Sequence, residues 1–126
     1  MHQIVGGGTL GIHTDFNKHI HTKLWRRVNI FLYLNEDWSE DFGGHLELWN
    51  ADMNVCEQKI LPIINRLVIF SSSKFSLHGH ADPLTCPDHR TRKSIAMYYY
   101  STEPHDSYSE QEGMVNTIFR KRPQDV

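Results

Sequence analysis

Nowhere along these 126 residues do apolar side chains recur at the three- and four-residue spacing of a helix; they come in short runs bounded by glycine, proline and small polar residues. Runs of that length and composition read as strands. Strands are predicted over Thr9 to Phe16, Arg27 to Leu34, His45 to Trp49, Val55 to Ile60, Arg66 to Phe70, Phe75 to His80 and Lys93 to Tyr100. His19 to Arg26 has room for one helical turn. Asp82 to Arg90 carries Pro83 and Pro87 and is a loop. From Ser101 the chain reads as a turn and an extended arm, with Arg120, Lys121 and Arg122 expected in solvent. The fold class is all-β with little helix, a jelly roll or a barrel. Both wrap their strands and can hold a small ligand inside.

The strand Arg27 to Leu34 adds a constraint. Asn29, Phe31 and Tyr33 share one face, and Val28, Ile30, Leu32 and Leu34 share the other. If the first face looks into a cavity, the aliphatic face needs cover, at roughly 1.5–3 kcal/mol per fully buried side chain. With no amphipathic helix to supply it, the expectation is a homodimer through the face bearing Val28, Ile30 and Leu32, or a segment N-terminal to this chain.

Length allows a single domain over 1–126, with a core at about 9–100 and a C-terminal extension over 101–126. A formal charge of −2 leaves no basic footprint for nucleic acid. No apolar run reaches membrane-spanning length, and no N-terminal signal pattern is visible. Cys56 and Cys86 do not make a disulfide framework, so the expected location is cytoplasmic.

The chemistry centres on the triplet His13-Thr14-Asp15. On a strand, residues two apart point to one face, so His13 and Asp15 would reach one point together. A histidine from the cluster Phe75-Ser76-Leu77-His78-Gly79-His80 would complete a set of two imidazoles and a carboxylate. That set suits non-haem Fe(II) with open positions. The plainer alternative is a solvated loop pair, which nine histidines make easy by chance. His78 and His80 share a face, and periodicity does not separate them. Arg92, Ser94, Ala96 and Tyr98 lie on one face of the last strand. Arg92 can there reach into a cavity and meet a carboxylate with its planar fork, beside small neighbours that leave room. Its alternative is a strand-end arginine reaching to solvent. Tyr33 can bond the same carboxylate or be a core tyrosine. His19 and His21 are a solvated or rim pair, and Cys86 and His89 are loop residues rather than a second metal site. Trp38 and Trp49 flank Gly43-Gly44 as packing residues.

These residues run in the order H-T-D, R-R-V-N-I-F-L-Y-L-N-E-D-W, G-G-H-L-E-L-W, R-L-V-I-F, L-H-G-H, R-K-S-I-A-M-Y-Y-Y. In that order the chain resembles the prolyl 4-hydroxylase-like branch of the 2-oxoglutarate/Fe(II)-dependent oxygenases, over roughly residues 9 to 100. The resemblance implies a double-stranded β-helix, a cupin-like jelly roll of two packed antiparallel sheets. It implies His13, Asp15 and His78 as iron ligands and catalytic centre, with His80 beside them or at the substrate mouth. Arg92 would salt-bridge the distal carboxylate of 2-oxoglutarate and Tyr33 would hydrogen-bond it. Asn29 would face the same cavity as a cosubstrate or substrate contact. The implied activity is a dioxygenase that uses Fe(II), 2-oxoglutarate and O₂, with ascorbate as an optional addition. It hydroxylates a C–H bond of a prolyl residue, amino acid or other small molecule and releases succinate and CO₂.

Members of that branch carry helices and strands before the H-x-D strand, whereas about a dozen residues precede His13. Two other functions compete. A non-catalytic, cupin-like metal-binding sensor would have no need of a carboxylate anchor such as Arg92 with Tyr33. A zinc hydrolase would need a general base that the sequence does not display.

Overall fold

Strand β3 (Trp25–Tyr33) lies beside β8 (Thr91–Ser101), and together they form the centre of a four-stranded antiparallel sheet. β1 (His2–Val5) closes one edge of it and β6 (Leu67–Ser71) the other, in the order β1-β8-β3-β6. A second, five-stranded antiparallel sheet contains β2 (Leu10–Thr14), β4 (Leu46–Trp49), β5 (Cys56–Ile60), β7 (Leu77–His80) and β9 (Ile118–Phe119), in the order β5-β4-β7-β2-β9. This computed structural model describes every residue except 105–112 and 114, so that part of the predicted arm lies outside the described residues. Among the described residues two short 3₁₀ turns, Glu40–Phe42 and Pro123–Asp125, accompany these strands. No helix among the described residues is long and apolar enough to cross a membrane.

The predicted strands are present within a residue or two of their expected ends, and β1 and β9 are additions. The helical turn expected over His19 to Arg26 is instead a tight reversal into β3. Lys23 N–H bonds to His19 O, Leu24 O accepts from His19, and Lys18 bridges to Trp25. Trp25 and Arg26 are already strand residues, because their ladder with Ser101 and Tyr100 satisfies backbone groups that one isolated helical turn would leave open.

The inner faces bury three apolar clusters. Ile12, Trp49 and Leu77 pack together, as do Tyr33, Leu46 and Val68, while Trp38 packs with Leu84 and Cys86 from the proline-bearing loop. The outer face of the β3-β8-β6 layer is different. Val28, Ile30 and Leu32 stand there half-buried beside Ile69 and Tyr99, which are 59% and 60% exposed. That is the aliphatic face the alternation of β3 predicts, and nothing among the described residues covers it.

One expectation is corrected at the C-terminus. Arg122 is not in solvent but 5% exposed. Its guanidinium bonds to Asp125 and Asp82 and to Glu47 of β4, at 2.7, 2.8 and 3.2 Å. Glu47 is buried, and a buried carboxylate needs a cation partner. Arg122 meets that need and fastens the C-terminal strand beside β2, where Phe119 pairs with His13.

Candidate active site

The register of β2 against β7 sets His13 directly opposite His78. Their rings tilt toward each other with centroids 4.5 Å apart. Asp15 follows just past the end of β2. Its Oδ1 lies 3.3 Å from His13 Nε2 and its Oδ2 lies 3.5 Å from His78 Nε2. One ligand atom from each of the three lies within 4.8 Å of the others. Of the two histidines that alternation leaves together, His78 is therefore the one that meets His13 and Asp15.

Hydrogen bonding sets the rings. His13 Nδ1 is 2.8 Å from Gly11 O, and His78 Nδ1 is 2.8 Å from Ser76 O. A carbonyl oxygen only accepts, so each Nδ1 carries a proton, and whenever a ring is neutral its Nε2 lone pair is the atom turned toward Asp15. Burial pushes the His78 pKa down to about 4, so that ring is neutral near pH 7. Burial alone would raise the pKa of Asp15. The hydrogen bond with His13 and the charges of His78, His13 and Arg26 outweigh it and hold the carboxyl at about 2. Burial opposes a proton on His13 as well, but hydrogen bonds to Asp15 and Gly11 and the carboxylate charge raise its pKa. At His78 a neutral Nε2 therefore faces a carboxylate oxygen, one acceptor against another. A divalent cation among the three resolves that conflict, and two imidazoles with one carboxylate suit Fe(II).

Asn29 is fully buried, and its Nδ2 donates to Asp15 Oδ2 at 2.7 Å. It stands behind the carboxylate and is not one of the residues lining the cavity described next. Arg26, which the sequence reading passed over, approaches the same oxygen at 3.4 Å and is held between the rings of Phe16 and Tyr98. A β-bulge between Arg26 and Val28 explains the omission. Strict alternation puts Arg26 on the face of Val28, and one extra residue in the strand reverses that assignment.

The three groups open onto a cavity of about 270 Å³ between the sheets. Tyr33, His80 and Arg92 line its other end, with Ser94 and Ala96 on the β8 wall. Arg92 is 5% exposed; its Nε donates to Gly44 O at 2.8 Å, and an NH₂ nitrogen lies 3.5 Å from the Tyr33 hydroxyl. No carboxylate pairs with Arg92 among the described residues. A buried guanidinium without an anion is costly, and a bound carboxylate would remove that cost. The Gly43-Gly44 turn makes this arginine's place. A Cβ on Gly44 would lie 2.6 Å from Leu84 Cδ2 and 2.9 Å from Arg92 Cδ.

Among the other histidines, His19 and His21 lie 5.9 Å ring to ring and are outside the three-residue group. Cys86 is packed against Trp38 and Leu84, and His89 is exposed.

The sequence profile of the 2OG-Fe(II) oxygenase superfamily matches residues 1–100. The chain belongs to that superfamily. Prolyl 3-hydroxylase OGFOD1 of Mus musculus is 33% identical over 79 residues, which cover 60% of this chain and 14% of the mouse protein. The Xenopus laevis protein of the same name is 32% identical over 79 residues, covering 60% of this chain and 15% of its own length. The oxygenase also resembles the structure of a prolyl hydroxylase in complex with a hypoxia inducible factor oxygen degradation domain peptide fragment, from Trichoplax adhaerens. That likeness has a TM-score of 0.59 and 30% identity over 77% of this chain and 40% of that one. The chain thus spans about a seventh of the curated relatives it matches. The two-sheet architecture of this oxygenase is the double-stranded β-helix expected of it.

Proposed function

We propose that this oxygenase is a hydroxylase that binds Fe(II) through His13, Asp15 and His78 and 2-oxoglutarate through Arg92 and Tyr33. The observation that carries the reading is one cavity with two unmet demands at opposite ends. The Nε2 atoms of His13 and His78 converge on the carboxylate of Asp15 at one end, and at the other the guanidinium of Arg92 has no acid beside it among the described residues. A metal-bound dicarboxylate answers both. A metal-binding sensor would explain only the first.

When bound, Fe(II) with 2-oxoglutarate supplies the power to place one oxygen atom of O₂ in a substrate C–H bond, with succinate and CO₂ released. The chain's own part is placement. The Nδ1 bonds to Gly11 and Ser76 fix both imidazoles, and Asn29 with Arg26 holds the carboxylate of Asp15. Arg92 and Tyr33 orient the cosubstrate's far end. Phe31, Leu46 and Ala96 keep the walls between apolar, which excludes water from the reacting groups.

Substrates proposed are a prolyl residue, an amino acid or another small molecule; the prolyl hydroxylases among the relatives favour the first. The free thiols of Cys56 and Cys86 support a reducing, cytoplasmic setting. The exposed apolar face around Ile30 and Ile69 supports a homodimer joined there. Light scattering tests that directly, and a stable monomer would contradict it.

The reaction is tested by incubating the iron-loaded protein with 2-oxoglutarate, O₂ and proline-containing peptides. A peptide gain of one oxygen atom, matched by succinate, is expected. Succinate formation that no peptide or amino acid stimulates would count against a hydroxylase of these substrates.

A further inference from the structure

His80 is unexplained by the assignments above. It is 3% exposed, it lines the cavity between the sheets, and among the described residues neither of its ring nitrogens has a hydrogen-bond partner. A buried imidazole left so is costly, and native interiors avoid the arrangement unless a ligand or water completes it. It lies outside the three-residue group around Asp15, so metal binding does not account for it.

Its position along β7 says which ligand atoms it faces. His80 follows His78 by two residues on the same face, roughly 6.6 Å further along the strand. The neighbouring β4 pairs Leu48 with His78 and Glu47 with Gly79, so the step from His78 to His80 runs toward Leu46, which packs on Tyr33. His80 also borders a small recess with Gly44, the residue whose carbonyl accepts from Arg92. The strand thus carries the cavity wall from the imidazole cluster to the arginine end.

We propose that His80 is a third protein contact for the distal carboxylate of 2-oxoglutarate, donating a ring N–H to it beside Arg92 and Tyr33. Either tautomer carries one N–H, so the donation needs no change of protonation. The proposal rests on the cosubstrate assignment made above and adds a contact to it.

Calorimetric titration of the iron-loaded full chain without O₂ tests it, using 2-oxoglutarate and 2-oxobutanoate, which has the same keto acid end but no distal carboxylate. H80L is expected to weaken 2-oxoglutarate binding about tenfold, the loss of one charge-assisted bond. Affinity for 2-oxobutanoate and Fe(II) should stay as in the wild type, and H80Q, which keeps an N–H, should recover part of the loss. If H80L proves unstable, H80V is scored in the same way. Wild-type affinity for 2-oxoglutarate in H80L while R92L loses it would overturn the His80 contact and leave the cosubstrate site standing. Equal loss of both keto acids would also overturn it. A wild-type protein that binds no 2-oxoglutarate would remove the cosubstrate site itself and this contact with it.

Discussion

His13 and His78 face each other across the β2–β7 ladder, and each gives its Nδ1 proton to the carbonyl two residues earlier on its own chain segment. The rings are therefore set before any metal arrives, with both Nε2 atoms turned toward Asp15. On this account D15A loses Fe(II) binding altogether. N29L, which removes the 2.7 Å donor to Asp15 Oδ2, should keep the site but weaken metal roughly 10–100-fold. Calorimetric Fe(II) titration without O₂ measures both, and wild-type affinity in D15A would contradict the ligand assignment.

Among the described residues Arg92 has no acid partner, so its replacement acts on the ligand. R92L should bind Fe(II) as the wild type does and 2-oxoglutarate roughly 10–100-fold more weakly, as expected for a lost charged pair. Unchanged cosubstrate affinity would dismiss Arg92 as the anchor.

How much of this was legible beforehand depends on the kind of signal. His13 and Asp15 were readable because two residues apart on a strand means one face, and Arg92 because its strand neighbours Ser94 and Ala96 are small. The preference for His78 over His80 came from family resemblance, since alternation treats them alike; in space, the pairing of His78 with His13 separates them. Arg26 was hidden by the bulge after it, which no alternation pattern carries. Arg122 reads as a solvated residue in a basic run because its partners Glu47 and Asp82 are distant in sequence. The edge strand His2–Val5 is too short, and too mixed in character, to stand out before the Gly6-Gly7-Gly8 turn.

Gly44 links the turn to the site. Its φ of +72° is unfavourable for other residues, and a methyl there would press on Leu84 and Arg92. G44A should lower stability by about 1–3 kcal/mol and also weaken 2-oxoglutarate, because the Arg92 stem must move. Denaturant unfolding and cosubstrate titration of the variant check the two effects. Loss of stability with full cosubstrate affinity would separate the turn from the anchor.

The metal-free protein should be acid-sensitive. His78 and His80 are held by burial at about 4 and about 3, below the ordinary histidine value of 6.5. Between those values the unfolded chain binds more protons than the folded one, so stability falls as pH drops below about 6.5. Asp15 extends the loss from its ordinary 3.8 down to about 2. His13, whose pKa is raised, acts in the opposite sense, as one group against two. Denaturant midpoints measured between pH 7 and pH 4 should therefore decline with acid, and a flat or rising series would contradict the neutral burial of His78 and His80.

The central claim is that one cavity holds iron at the His13, Asp15 and His78 end and a dicarboxylate at the Arg92 end. Titrating the apo-protein under anaerobic conditions with Fe(II), and then with 2-oxoglutarate, tests it most directly. A weak visible charge-transfer band that grows with 2-oxoglutarate and saturates at one equivalent is the predicted result. Iron binding with no such band, or no binding of either, would contradict the claim.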